Sequence, residues 1–295
     1  MRHDYHLQYD VIGARFEESK NTAAFSAADT HTLLTVLDQL GGVKGLDVLD
    51  LACGYGHNTR LLARAGARRT VGVDTSAEMI RLARAYAEGP EGPEGLQGLQ
   101  GLQGLEGLDV PAGLDGPVRE ADRAGGTAGA EADGVRGAEA IEYVTADVAE
   151  LPPLGAFDLA TAVYLFNDAE DRNALHAMFR AIRTSLRPGG RLLAIVPNPG
   201  AFPHADWSPF GVRILERIPE GDAPLLRLSF LTDPPVPFTC REWPHQEFAE
   251  AAVEAGFASV SWQPSRTPPP DRERDEAFWT AYRATPVSSL MICTA

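Results

Sequence analysis

The chain has 295 residues, 44% hydrophobic, 23% charged and 8% aromatic, which suits a folded enzyme and excludes a collagen, a coiled coil or a wholly disordered chain. Forty-one acidic residues against 26 basic give a net charge of −15, which repels phosphate backbones and anionic headgroups and argues against nucleic-acid and membrane partners. Cys53, Cys240 and Cys293 are too far apart for a zinc site and odd in number for a disulfide framework, as in a reducing cytoplasm.

No apolar run approaches the roughly 20 residues of a spanning helix, and the opening MRHDYHLQYD is polar where a secretory signal would be apolar. A cytoplasmic protein is expected. Lys20 and Lys44 are the only lysines, the other 24 basic residues being arginine; we read this as a bias of genome composition.

In chain order the patterns predict a strand over 46–52, a helix over 57–66, a strand over 69–75 and a helix over 76–88. From Gly89 to Asp109 the chain then reads as seven G-x-y triplets, and the stretch to Ala138 stays rich in Gly, Ala and acids. Residues 88–138, with ten acids and three arginines and little to build a core, are expected to be a disordered insert; with only two prolines in the triplets, a collagen-like helix is excluded. Strands follow at 141–147 and 157–165, a helix at 171–186 and a strand at 190–198, with Pro188-Gly189-Gly190 as the stop signal between them. The short runs 212–218 and 225–231, split by a Pro-Glu-Gly-Asp turn, predict a β-hairpin; a helix at 245–255 and strands at 258–263 and 287–294 close the chain. Apolar strands alternating with amphipathic helices predict an α/β fold whose mostly parallel sheet carries helices on both faces. Ligands bind beyond the carboxyl ends of such strands, so 199–243 is expected to be a small β lid over the site.

The first strand runs into Asp50-Leu51-Ala52-Cys53-Gly54-Tyr55-Gly56-His57-Asn58-Thr59, a strand-to-helix turn whose glycines let the backbone approach a ligand. Asp74, twenty residues after Gly54 at the end of the second strand, is placed to accept both hydroxyls of a ribose; capping the helix near Ser76 is compatible with that role. An NAD reductase is disfavoured, because Thr59 stands where a third glycine belongs and Asp50 would repel a pyrophosphate. Asp50 suits the ammonium of S-adenosylmethionine instead, and Asp147, ending the third strand, can meet an adenine amino group.

VLDLACGYG, VGVDTSAEMI, a strand ending TADV and LRPGGRLL, in this order, resemble the class I S-adenosylmethionine-dependent methyltransferases over roughly 30–87 and 139–198. The resemblance implies one methyltransferase domain over 1–295, with a Rossmann-like seven-stranded sheet whose last strand is antiparallel. It also implies that Ala52, Gly54 and Gly56 lie along the methionine part, Asp74 at the ribose, and Met79, Asp147 and Val148 around the adenine, with Asn58 and Thr75 as further cofactor-binding residues. Ala52-Cys53 departs from the Gly-x-Gly of many members, keeping a small residue. Outside this core, YDVIGARF at 9–16, VPNP at 196–199, DPPVPF at 233–238 and PVSSL at 286–290 are similar to the toxoflavin synthase-like small-molecule methyltransferases.

The acceptor is then expected to be a small aromatic or heteroaromatic metabolite of secondary metabolism, methylated at nitrogen, with carbon or oxygen on an indole-like or phenolic ring as the alternative. A non-catalytic S-adenosylmethionine-binding protein is the rival of another class. Methyl transfer needs a base only where the acceptor must lose a proton, and the candidates are Tyr164, Asp168, His204 and Asp206. Asn167, Asp168 and Asp171 sit within one turn with no second loop of ligands, so no metal is expected. Trp207, Phe210, Phe238 and Trp243 either face a flat substrate or hold the lid to the sheet, and Tyr5, His6 and Tyr9 are expected to cap the sulfonium.

Overall fold

A computed structural model describes residues 5–88 and 141–295; from residue 89 on, the expected insert lies outside the described residues. The chain opens with helices α1 (Tyr5–Ile12), α2 (Ala14–Thr22) and α3 (Ala24–Gln39). Then follow β1 (Asp47–Leu51), α4 (His57–Arg64), β2 (Arg69–Asp74), α5 (Ala77–Glu88), β3 (Ile141–Thr145), β4 (Phe157–Val163), α6 (Arg172–Ser185) and β5 (Leu186–Pro197). The last third comprises β6 (Val212–Ile218), β7 (Leu225–Phe230), β8 (Val236–Arg241), α7 (His245–Glu254), β9 (Ser259–Pro264), α8 (Glu276–Ala284) and β10 (Ser288–Thr294).

Seven strands form one sheet in the order β3-β2-β1-β4-β5-β10-β9, and β10 runs antiparallel to both neighbours. Successive residues of its central strands supply opposite faces: Val48, Leu159, Leu193 and Ile195 pack under α3 and α4, while Leu49, Ala160, Leu192 and Ala194 pack under α6 and α7. Both faces being covered explains the near-continuous apolar runs. The strand order reverses between β1 and β4, which opens a crevice at their carboxyl ends.

Three helices, one strand and one more helix were not legible from periodicity. The buried stripe of α3 is regular, at 24, 25, 28, 29, 32, 33, 36 and 37, but Asp29 and Thr32 occupy it and break the apolar pattern. α1 and α2 are short, and their anchors are polar: Ser76 donates to Asp10, and the Tyr86 hydroxyl donates to Glu17 at 2.5 Å. The expected hairpin gains a third strand, β8, whose Pro237 is tolerated because β8 is an edge of the sheet β6-β7-β8. α8 starts at an Asp275 cap that accepts from Phe278 N–H at 2.8 Å. Pro188-Gly189-Gly190 ends α6 as expected, yet it lies within β5: the register with β4 shifts between Phe157 and Leu159, so the motif forms a bulge instead of a loop.

The small sheet has its own apolar face. Val212, Leu226, Leu228, Phe230, Val236 and Cys240 pack with Phe25 and Ala28 of α3 and with Trp279 and Tyr282 of α8. Gln8 of α1 pairs with the edge strand, its amide donating to Thr239 O at 3.1 Å and accepting from Thr239 N–H at 3.0 Å. The N-terminal helices are therefore held between the rim of the main sheet and the small one.

At the opposite edge Asp47 opens β1 between two guanidiniums, accepting from Arg68 Nε and Nη2 at 2.8 and 2.7 Å and from Arg187 Nη2 at 2.7 Å. The Arg68 hydrogen bonds hold its carboxyl at about 2 against the opposing effect of burial, with Arg187 assisting. A carboxyl depressed in the folded chain stabilises it fully above the ordinary carboxylate range, and the gain disappears as pH falls toward 2. Asp47→Asn is expected to lower the midpoint of urea unfolding at pH 7, with the difference from the parent shrinking between pH 4 and pH 2; a constant difference would overturn this.

Candidate active site

The loop after β1 departs from ordinary backbone geometry at three residues: Ala52, Gly54 and Gly56 have φ of 51°, 54° and 79°. This turns the chain sharply and exposes its backbone. A Cβ placed on Gly54 would meet only the edge of Phe16, at 3.9 Å, so that side of the loop is open. Gly56 differs, because a Cβ there would collide with the Tyr143 phenol; it packs behind the loop and does not line the cleft.

That cleft holds about 1150 Å³ of open space along the carboxyl ends of β1, β2 and β4. Of the expected cofactor residues, Tyr9, Ala52, Gly54, Asn58, Asp74, Thr75, Met79, Asp147 and Val148 line it. Asp74 accepts from Gly54 N–H at 2.8 Å and Ser76 N–H at 2.9 Å, capping α5 and tying the glycine loop to it. Its carboxylate also lines the cleft, where a carboxylate can accept from a diol. Asp147 likewise accepts from Ala149 N–H at 2.8 Å while facing the cleft.

Asp50 is a correction. It stands behind the loop, 1% exposed, its oxygens accepting from Thr59 Oγ1 at 2.6 Å and Thr161 Oγ1 at 2.7 Å, and it is not among the residues lining the cleft. Burial pushes its carboxyl up to about 6 against these two hydroxyls. It braces the loop to β4 and α4; the expected direct contact with an ammonium is not what this geometry offers.

The four expected bases separate. Tyr164, at the end of β4 with φ 60°, donates its hydroxyl proton to Asp29 Oδ2 at 2.7 Å, and Ser288 Oγ donates to Oδ1 at 2.5 Å. Burial and then the Asp29 charge push the phenol well above its ordinary value, so Tyr164 is a wall and a donor, not a base. Asp168 lines the cleft; burial first and the Asp74 charge second push its carboxyl well up, against hydrogen bonds from Tyr9 and Asn167. His204 is exposed and is not among the residues lining the cleft, and neither is Asp206, which accepts from Ser208 N–H at 3.0 Å.

A second, apolar chamber opens beyond the cleft. Tyr9, Phe16, Lys20 and Tyr164 line both spaces and form the neck between them. Its walls include Phe25, Trp207, Phe230 and Phe238, with Phe230 and Phe238 stacked at 4.1 Å. Of the four aromatics expected near the substrate, Trp207 and Phe238 are there; Phe210 packs on Phe278 and Tyr282, and Trp243 lies in the main core with its indole N–H on Ala169 O at 3.2 Å. Sequence reading missed Phe16, Lys20 and Asp29 altogether. Their signal was thin: a rare lysine, and an acid interrupting an otherwise apolar helix stripe.

Asp74 and Asp147 line the cleft, and carboxylates there oppose a pyrophosphate and favour an adenosyl ligand carrying positive charge. Together with the open face of Gly54 and the place of Asp74 on the cleft wall, this fits S-adenosylmethionine: fold and site define a class I S-adenosylmethionine-dependent methyltransferase. The chain belongs to the methyltransferase domain family, whose model matches residues 20–261.

Among solved structures, DhpI in a complex with SAM and HEP is similar with a TM-score of 0.57 and 15% identity over 99% of both chains. CcbJ methyltransferase from Streptomyces caelestis follows at 0.53 and 16%, covering 90% of this chain and 89% of that one. An S-adenosylmethionine-dependent methyltransferase from Mesorhizobium loti reaches 0.50 and 18%, covering 94% and 100%. No curated protein sequence matches this chain.

Proposed function

We propose that this methyltransferase acts in the cytoplasm on a small aromatic or heteroaromatic metabolite of secondary metabolism, methylating a ring nitrogen. The observation that carries the acceptor class is the aromatic-lined chamber reached from the cofactor cleft through the Tyr9, Phe16, Lys20 and Tyr164 neck. Such a space binds a flat apolar body well and offers a peptide or sugar few partners. Resemblance to the toxoflavin synthase-like enzymes along 9–16, 196–199, 233–238 and 286–290 supports the nitrogen acceptor.

S-adenosylmethionine supplies an electrophilic methyl group on a sulfonium. The residues of this chain do the rest by position: the Ala52–Gly56 loop and Asp74 fix the cofactor, and segment 199–243 with α1–α3 excludes water as a lid. A ring nitrogen with a free lone pair requires no base. Where the acceptor is N–H, Asp168 is the group in the cleft that takes the proton, and a cation bound beside it favours its charged form.

The test is transfer of labelled methyl from S-adenosylmethionine to a panel of pyridine-, quinoline- and indole-type rings against phenols and peptides. Product on the nitrogen heterocycles supports the reading; product only on phenols or peptides overturns it. Within the panel, Asp168→Asn is expected to lower kcat at least about tenfold for an N–H acceptor and less than about threefold for a proton-free nitrogen. Equal losses on both would reduce Asp168 to holding Tyr9.

A further inference from the structure

Lys20 sits in the last turn of α2 at the neck between cleft and chamber. Its ammonium lies 4.3 Å from the centroid of the Tyr164 ring, 5.1 Å from that of Phe25 and 5.5 Å from that of Phe16. Three π faces hold a cation in place without neutralising it. Among the described residues Lys20 makes no ion pair within 4 Å, and Asp29, the acid whose charge it feels, has its oxygens engaged by the Tyr164 and Ser288 hydroxyls.

The surroundings narrow its purpose. No Asp, Glu or Arg is found among the described residues lining the chamber, so among them Lys20 is the one charged side chain facing it. Withdrawing an ammonium from water into an aromatic cage is costly, and the cage alone recovers part of that cost. The remainder is recovered when an anion enters the chamber and pairs with the ammonium at low dielectric. A lysine that merely braced α2 against α3 would do so equally well with its ammonium turned to solvent, since the alkyl stem supplies the packing.

We propose that Lys20 is the anion-recognition residue of the acceptor chamber, so that the methyl acceptor is an aromatic molecule carrying a carboxylate or an equivalent anionic group. This rests on the methyl-acceptor reading of the chamber given above. The acceptor's ring fills the apolar walls, and its anion lies at the neck against Lys20. A neutral aromatic of the same shape leaves the ammonium with the Asp29 charge alone and binds more weakly.

Calorimetric titration of the protein saturated with S-adenosylhomocysteine, using 2-naphthoate and its isosteric neutral amide, tests this. The wild-type chain is expected to bind the acid at least about tenfold more tightly than the amide. Lys20→Met is expected to bring the two within about twofold, chiefly by weakening the acid, and Lys20→Arg to restore part of the preference. S-adenosylhomocysteine affinity, read in the same variants, reports whether the fold is intact. Equal affinity in the wild type, binding of neither probe, or a preference that survives in a folded Lys20→Met variant overturns the assignment. If Lys20→Met does not fold, the wild-type ratio and Lys20→Arg decide. An acid preference lost in Lys20→Met with no labelled methyl reaching any aromatic acceptor would sink the acceptor reading and leave an anion site at Lys20.

Discussion

Replacing Asp74 with alanine is expected to raise the Kd for S-adenosylmethionine at least about tenfold, equivalent to about 1.4 kcal/mol or more. Two losses combine. The carboxylate accepts from Gly54 N–H and Ser76 N–H at 2.8 and 2.9 Å, so its removal leaves two backbone donors without their acceptor and frees the glycine loop from α5. The same carboxylate is the group proposed to accept from the ribose diol, and hydrogen bonds to a charged acceptor contribute about 1.5–3 kcal/mol each. Asp74→Asn keeps the shape and one acceptor oxygen, so an intermediate Kd is expected. Calorimetry on both variants, with thermal unfolding as the control for folding, makes the measurement. An unchanged Kd in a folded Asp74→Ala protein would remove Asp74 from the cofactor site.

Gly56→Ala is expected to cost about 2–5 kcal/mol of stability. Gly56 has φ 79°, and the left-handed backbone costs a residue with a Cβ about 1–2 kcal/mol. The new methyl would also overlap the Tyr143 phenol, whose Cε1 and Cζ atoms lie 2.9 Å from it, and overpacking adds about 1–3 kcal/mol. For a chain of this size that corresponds to a fall in Tm of roughly 3–10 °C. Tyr143→Ala removes the obstruction and leaves the backbone term, so Gly56→Ala is expected to cost less in that background than in the parent. Additive effects would show that the collision is relieved some other way. Gly54→Ala is the contrast: at φ 54° it carries the same backbone cost, but its Cβ meets nothing closer than Phe16 at 3.9 Å, so its fall in Tm is expected to be smaller than that of Gly56→Ala.

By itself the sequence determined the alternation of strand and helix, the glycine loop, and the acids Asp74 and Asp147 at the ends of β2 and β3, because each is written in a few consecutive residues. A fully buried parallel strand must be apolar throughout, and a turn from strand to helix at a ligand must be small. Side-chain direction at those strand ends was not so written. Asp50 turns back onto Thr59 and Thr161, and Gly56 faces Tyr143 instead of the cleft, because the pleat and the loop's left-handed residues set which atoms point outward.

The acceptor end of the site was decided only by tertiary structure. Asp29 meets Tyr164 across 135 residues and Ser288 across 259, and Lys20 reaches the same place from α2. No local period encodes a contact made by four separate segments. It exists because the small sheet and α8 cover α3, and because burying that second apolar face draws the polar residues of the N-terminal helices inward to the neck.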